Sequence, residues 1–216
     1  MFKAINPANG EFMRSLAFDD DATIDSKLAL SEKAFQIWKH VPLKDRLSLM
    51  SEAGKVLLAD KEDYARLMVE EMGKTISSAK AEIEKCAWLC QYYADNGEVF
   101  LAPKIVDTTA SKSYVSYEPM GVIFAIMPWN FPFWQVFRFA APNIIAGNIV
   151  LLKHAPCVPG CAVAIDDIFF KAGFPEDVLV PLYIDIDKME RVVADPIVKG
   201  VTLTGSTRAG LSLIHI

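Results

Sequence analysis

The sequence predicts an α/β fold, an N-terminal helical layer lying on a parallel sheet, and three observations carry that prediction. Beyond Met120, short apolar and β-branched runs alternate with helix-length segments, the rhythm of doubly buried strands joined by crossover helices. Before that point the apolar residues recur three and four apart, which marks one face of a helix. The composition, 52% hydrophobic and 23% charged over 216 residues, suits a chain that buries a sizeable core without disulfides. That balance excludes disorder, and 11 glycines with 12 prolines exclude a collagen-like or low-complexity chain. A net charge of −5 argues against nucleic acid as a partner, because phosphate binding requires a basic face.

The elements follow in order. Residues 1–102 read as helical. Asp19 to Asp21 give anionic N-terminal signals to a helix carrying Ile24, Leu28, Phe35 and Trp38. Pro42 starts a second, with Leu47, Met50, Ala53 and Leu57 on its apolar face. A third passes through Tyr64 and Met68 and stops at Gly73, and a fourth covers residues 76–93. Residues 103–117 are polar and β-branched, an extended arm or hairpin. Over residues 118–210 the strands are expected at 121–127, 148–153, 178–184 and 198–204, and the helices at 132–146, 158–172 and 186–194. Gly147 and Gly173 stand where helices terminate in the left-handed conformation. Residues 211–216, Leu-Ser-Leu-Ile-His-Ile, do not continue the pattern and are expected to be a non-native tail.

Compartment and membrane signals are plain. The start, Met-Phe-Lys-Ala-Ile-Asn-Pro, has no apolar core of the secretory type. Cys86/Cys90 and Cys157/Cys161 are spaced as one helical turn rather than as a zinc knuckle, so no metal site is expected. Reduced thiols packed as small hydrophobes fit a cytoplasmic protein. The uncharged stretch 119–137 has the length of a membrane span, but Pro119, Pro128, Asn130 and Pro132 break it into a strand and a helix. No membrane partner is expected.

In an open parallel sheet, ligands bind beyond the carboxyl ends of the strands. Those ends carry Pro128-Trp129-Asn130-Phe131-Pro132, Lys153-His154-Ala155-Pro156, Ile184-Asp185 and Thr204-Gly205-Ser206-Thr207-Arg208-Ala209-Gly210. The two glycines of the last segment suit a turn whose amides approach a phosphate; an ordinary turn with Ser206 or Thr207 as helix cap has the same spacing. Lys153 suits a ribose hydroxyl or phosphate oxygen, or is simply solvated. Asn130 can donate its amide N–H to a developing oxyanion, and Asn is also a turn residue before a helix. Arg138, the only charge between Phe124 and Phe139, needs a partner: a substrate carboxylate, an internal Asp or Glu, or water.

Taken together and in this order, Pro119-Met120-Gly121-Val122-Ile123 and the three polar segments at 128–132, 153–156 and 204–210 resemble the motifs of the aldehyde dehydrogenase superfamily. Glu71-Met72-Gly73-Lys74 is similar to a further recurring element of that family, and the likeness runs from about Ile5 to Gly210. Gln135-Val136-Phe137-Arg138 and the Lys-His-Ala-Pro segment resemble its bacterial succinate-semialdehyde branch. The resemblance implies a partial Rossmann-like sheet binding NAD or NADP. It implies that Asn130 is an oxyanion-hole donor toward the adduct of a cysteine nucleophile, and that Lys153 holds the adenosine ribose. Ile126, Met127, Pro128 and Trp129 would line the cofactor cleft, Gly205 and Ser206 would lie near the pyrophosphate and nicotinamide, and Arg138 would bind the carboxylate of an acidic aldehyde. The 103–117 arm would serve a homo-oligomer.

The departures shape the expectation. The family's nucleophilic cysteine and general-base glutamate lie beyond the position matching Gly210, so the chain is expected to be an N-terminal fragment, inactive alone toward aldehydes. The glycines often found after the third strand are absent from 184–191, and Pro156 replaces the Glu or Ser that often helps choose between NAD and NADP, leaving that choice open. The alternatives are a non-catalytic dinucleotide-binding module, a partner subunit, or a helical scaffold docking another protein.

Overall fold

In the computed structural model, which describes residues 1–215, the chain opens on an antiparallel hairpin of β1 (Phe2–Ile5) and β2 (Phe12–Leu16). This corrects the all-helical reading of the first hundred residues. The local signal is Asn9-Gly10, where Gly10 takes φ +75° and its N–H closes the turn onto the Asn6 carbonyl at 2.8 Å. Alternate residues Phe2 and Ala4 are buried, so the hairpin packs by one face.

Four helices follow, as expected. α1 (Asp21–Trp38) is capped by Asp20, whose carboxylate accepts the Thr23 N–H at 2.8 Å. α2 (Leu43–Ala59) begins directly after Pro42, and α3 (Lys61–Met72) stops at Gly73 with φ +73°. α4 (Ile76–Leu101) runs eight residues beyond the predicted 76–93. It continues through Gly97 because α2 lies against it there: a Cβ on Gly97 would stand 2.5 Å from Leu47 Cδ2. The expected arm is a short antiparallel pair, β3 (Lys104–Ile105) with β4 (Tyr114–Val115).

The strand–helix alternation then appears as predicted, with shorter strands: β5 (Val122–Ile126), α5 (Trp134–Ile145), β6 (Ile149–Lys153), α6 (Pro159–Lys171), β7 (Leu179–Pro181), α7 (Met189–Ala194), β8 (Val198–Leu203) and α8 (Thr207–Ile214). β7 is shorter than 178–184 and lies at the sheet edge, where Pro181 is tolerated because the Leu182 N–H, not that of residue 181, reaches the Leu152 carbonyl, at 2.8 Å. The predicted helix 186–194 begins as a 3-10 turn, Ile186–Lys188, capped by Asp185. α8 carries residues 211–214 as helix, with His215 at its C-terminal cap. Ile216 lies outside the described residues.

All four strands are parallel, in the order β7-β6-β5-β8. β5 and β6 are almost entirely buried, which is why they read as continuous apolar runs. The core joins the sheet to the helical layer; Trp38 of α1 reaches across it and donates its indole N–H to the Ile144 carbonyl at 2.9 Å. Among the described residues no helix is long and apolar enough to cross a membrane.

Candidate functional site

The strand order fixes where a ligand can sit. From β5 the chain builds outward through β6 to β7, then returns to place β8 on the other side of β5. That reversal is a topological switch point, and the loops leaving β5 and β8 open a crevice above it. The register pairs Ile126 with Lys153 on one side and with Leu203 on the other, so the three strand ends are level.

A cleft of about 610 Å³ occupies this place. Ile126, Lys153 and Ser206 line it together, with Met189 and Glu190 of α7 as its far wall. Gly205 adjoins Ser206 at its rim. Met127, Pro128 and Trp129 do not line it: Met127 is buried beneath and donates its N–H to the Lys153 carbonyl at 3.0 Å, while Trp129 is 50% exposed. Asn130 lies farther along the same loop, exposed.

Lys153 is the most constrained charge of the cleft. Only 8% exposed, it stands 5.8 Å from the Phe2 ring centroid, and no carboxylate comes within ion-pair range among the described residues. Burial lowers its pKa, an effect the Asp185 carboxylate partly counters. A desolvated ammonium without a counter-ion is a donor set for an anionic or hydroxyl-rich ligand. Opposite it, α8 begins at Thr207 with Ser206 as its cap, the Ser206 hydroxyl accepting the Ala209 N–H at 3.2 Å. The capping alternative for this segment is therefore realised. Neither Gly205 nor Gly210 has a positive φ or a neighbour that a Cβ would strike. Helix start, lysine and apolar floor together match the phosphate, hydroxyl and ring surfaces of a dinucleotide.

Arg138 projects from α5 toward the end of β8, where its Nη2 donates to Thr204 Oγ1 at 3.1 Å. It is exposed and has no carboxylate partner among the described residues, so the internal Asp or Glu considered above is absent from its surroundings.

Three side chains the sequence left without a role hold the loop that carries Asn130. Lys74 pairs with Glu82 and donates to the Asn130 carbonyl at 3.2 Å. Glu82 accepts the N–H groups of Phe133 at 3.0 Å and Trp134 at 2.9 Å. His154 is 1% exposed; its Nδ1 accepts the Ala155 N–H at 2.7 Å, so Nε2 carries the proton it donates to the Pro132 carbonyl at 2.9 Å. Burial is the main cause that drives the His154 pKa down to about 4, keeping the ring neutral. The available signal for Glu82 is its spacing: with Ala79 and Cys86 it falls on the buried stripe of α4, where a carboxylate needs partners.

None of the four cysteines is activated. Cys86, Cys90 and Cys161 are buried and Cys157 is partly desolvated, and all four thiol pKa values are raised. A nucleophilic thiol requires the opposite shift.

The aldehyde dehydrogenase family pattern matches this chain over residues 1–216. A protein of Synechocystis sp. named probable succinate-semialdehyde dehydrogenase (NADP(+)) is 46% identical over 208 residues, covering 96% of this chain and 46% of that protein. The succinate-semialdehyde dehydrogenase (NADP(+)) of Deinococcus radiodurans is 37% identical over 215 residues, covering 100% of this chain and 45% of that protein. The crystal structure of succinic semialdehyde dehydrogenase from Streptococcus pyogenes in complex with NADP+ superposes with a TM-score of 0.96 at 32% identity, covering 100% of this chain and 48% of that one. The chain spans about half the length of the curated relatives it matches.

Proposed function

Because the chain belongs to the aldehyde dehydrogenase family, we propose that it forms the N-terminal, cofactor-binding part of a cytoplasmic NADP- or NAD-dependent enzyme oxidising succinate semialdehyde to succinate. The observation that carries this reading is Lys153, a buried cation without an ion-pair partner among the described residues, at a switch-point cleft that also holds Ile126 and Ser206. Lys153 binds ribose hydroxyl or phosphate oxygens, Ile126 supplies an apolar wall, and Gly205 with Ser206 bring the start of α8 to the pyrophosphate. Met127, Pro128 and Trp129 shape the loop bordering that wall. The relatives named for NADP(+) favour NADP as the dinucleotide. The bound dinucleotide supplies the acceptor for the aldehyde hydride.

Asn130 donates its carboxamide N–H to the oxyanion that forms when a thiolate adds to the aldehyde carbon, a contact worth about 3 kcal/mol of transition-state stabilisation. Arg138 holds the far carboxylate of the substrate, its position set by Thr204. The raised thiol pKa values support placing the nucleophile outside this chain, so the 216 residues alone bind cofactor without oxidising aldehydes. Those same values favour, as a second reading, a non-catalytic dinucleotide-binding module or partner subunit. Exposed Ile105, Tyr114 and Val115 on the arm suit assembly into a homo-oligomer of the complete enzyme.

Calorimetric titration of the purified chain with NADP and NAD tests the reading. Saturable binding without aldehyde oxidation is expected. Absence of binding, in a folded protein, overturns the cofactor assignment; aldehyde oxidation by the chain alone overturns the assignment of the nucleophile.

A further inference from the structure

We infer that Lys74, Glu82 and His154 are positioning residues that fix the backbone of residues 130–134 and thereby the reach of the Asn130 carboxamide, a role that rests on the reading of Asn130 given above. The three come from separate parts of the fold: Lys74 from the α3–α4 connection, Glu82 from α4 and His154 from the end of β6. Each grips a different main-chain group. Lys74 binds the Asn130 carbonyl, His154 binds the Pro132 carbonyl, and Glu82 takes the N–H groups of Phe133 and Trp134.

The chemistry of each contact suits a fixed loop. Glu82 sits at the start of α5, where free N–H groups and the helix dipole favour an anion. Lys74 neutralises it, so the pair can be buried with side chains only 7% and 1% exposed. The same ammonium lies 3.7 Å from the Phe131 ring centroid, giving it a second hold on the loop. His154 is itself locked by the Ala155 N–H, which forces the donor nitrogen toward Pro132. Between these clamps Phe133 is fully buried against Tyr64, their ring centroids 5.6 Å apart. The backbone on both sides of Phe131 is therefore tied down while the Asn130 side chain stays exposed, as a pre-organised donor must be.

A double-mutant cycle in the full-length protein tests this. Asn130→Ala is expected to lower kcat by about 100-fold or more, and Lys74→Met by roughly 10-fold, with cofactor KM little changed. The two effects must not add: Lys74→Met in the Asn130→Ala background should lower kcat no further. Equal kcat losses in both backgrounds, or an unchanged kcat in Lys74→Met, overturn the positioning role. An unchanged kcat in Asn130→Ala instead overturns the underlying reading of Asn130. If Lys74→Met does not fold, the cycle is run with His154→Leu, which keeps bulk and loses the donor; His154→Gln, which keeps a donor N–H, should restore kcat. In the 216-residue chain, hydrogen–deuterium exchange offers a readout independent of catalysis. His154→Leu should speed exchange over residues 129–135 and leave α2 unaffected, and unchanged exchange in that segment overturns the inference.

Discussion

Acid stability offers the sharpest quantitative check on the packing behind the site. The perturbation is titration of His154. Its ring is enclosed, and burial, with a smaller contribution from the neighbouring Lys153 charge, lowers its pKa from the usual 6.5 to about 4, against the favourable carbonyl of Pro132. The unfolded chain therefore takes up this proton before the folded one does, and stability falls as pH drops from 6.5 toward 4. The full gap corresponds to about 3 kcal/mol, of which about 2 kcal/mol is lost by pH 5. The assay is urea unfolding of the chain and of His154→Gln between pH 8 and pH 4.5. Glutamine does not titrate, so the stability advantage of the unmutated chain should shrink by about 2 kcal/mol from pH 8 to pH 5. Asp166, whose carboxyl is pushed up to about 6 by burial, works in the opposite direction, but it is common to both proteins and drops out of the difference. A difference that stays constant across this range refutes the assignment of His154 as a buried neutral donor.

Three further outcomes follow from the same geometry. Gly160→Ala should cost about 2–4 kcal/mol in urea unfolding, because a Cβ there meets Arg14 Nη1 at 2.5 Å and Glu71 Oε1 at 2.6 Å. Glu71 cannot retreat, since it accepts the N–H groups of Gly160 and Cys161 at 2.8 and 3.0 Å; a loss below about 0.5 kcal/mol contradicts that packing. Arg138→Ala in the full-length protein should raise KM for succinate semialdehyde by roughly 10–100-fold and leave KM for an uncharged aldehyde unchanged. Equal effects on both aldehydes remove the carboxylate role. Lys153→Met should weaken NADP binding by at least about 10-fold in calorimetry, with the melting temperature maintained, and unaltered affinity removes Lys153 from the cofactor site.

Much of this molecule is legible in its sequence, for identifiable reasons. The helical stripes of α1 to α4 and the doubly buried β5 and β6 follow from apolar periodicity, which responds to burial whatever the neighbouring element. The glycines at 73, 147 and 173 end helices as expected, with φ of +73°, +96° and +86°. The strand-end rule located Lys153 and Ser206 and the family resemblance added Ile126, and the structure brings these three to one cleft. The first hairpin was hidden because its strands are short and carry only two buried side chains, Phe2 and Ala4. Residues 211–214 are helical although their large residues Leu211 and Ile214, spaced three apart, stay exposed.

By itself the sequence determined where elements begin, which faces they bury and which polar residues stand at strand ends, because propensity, capping and periodicity act over a few residues. The strand order that makes a switch point, the enclosure of Lys153 and the grip of Lys74, Glu82 and His154 on residues 130–134 were decided by tertiary structure alone. Those features depend on contacts between segments far apart in the chain: 51 and 52 residues separate Glu82 from the two amides it accepts. A carboxylate on a buried helix stripe announces that it needs partners; only the packing of α4 against the start of α5 supplies them.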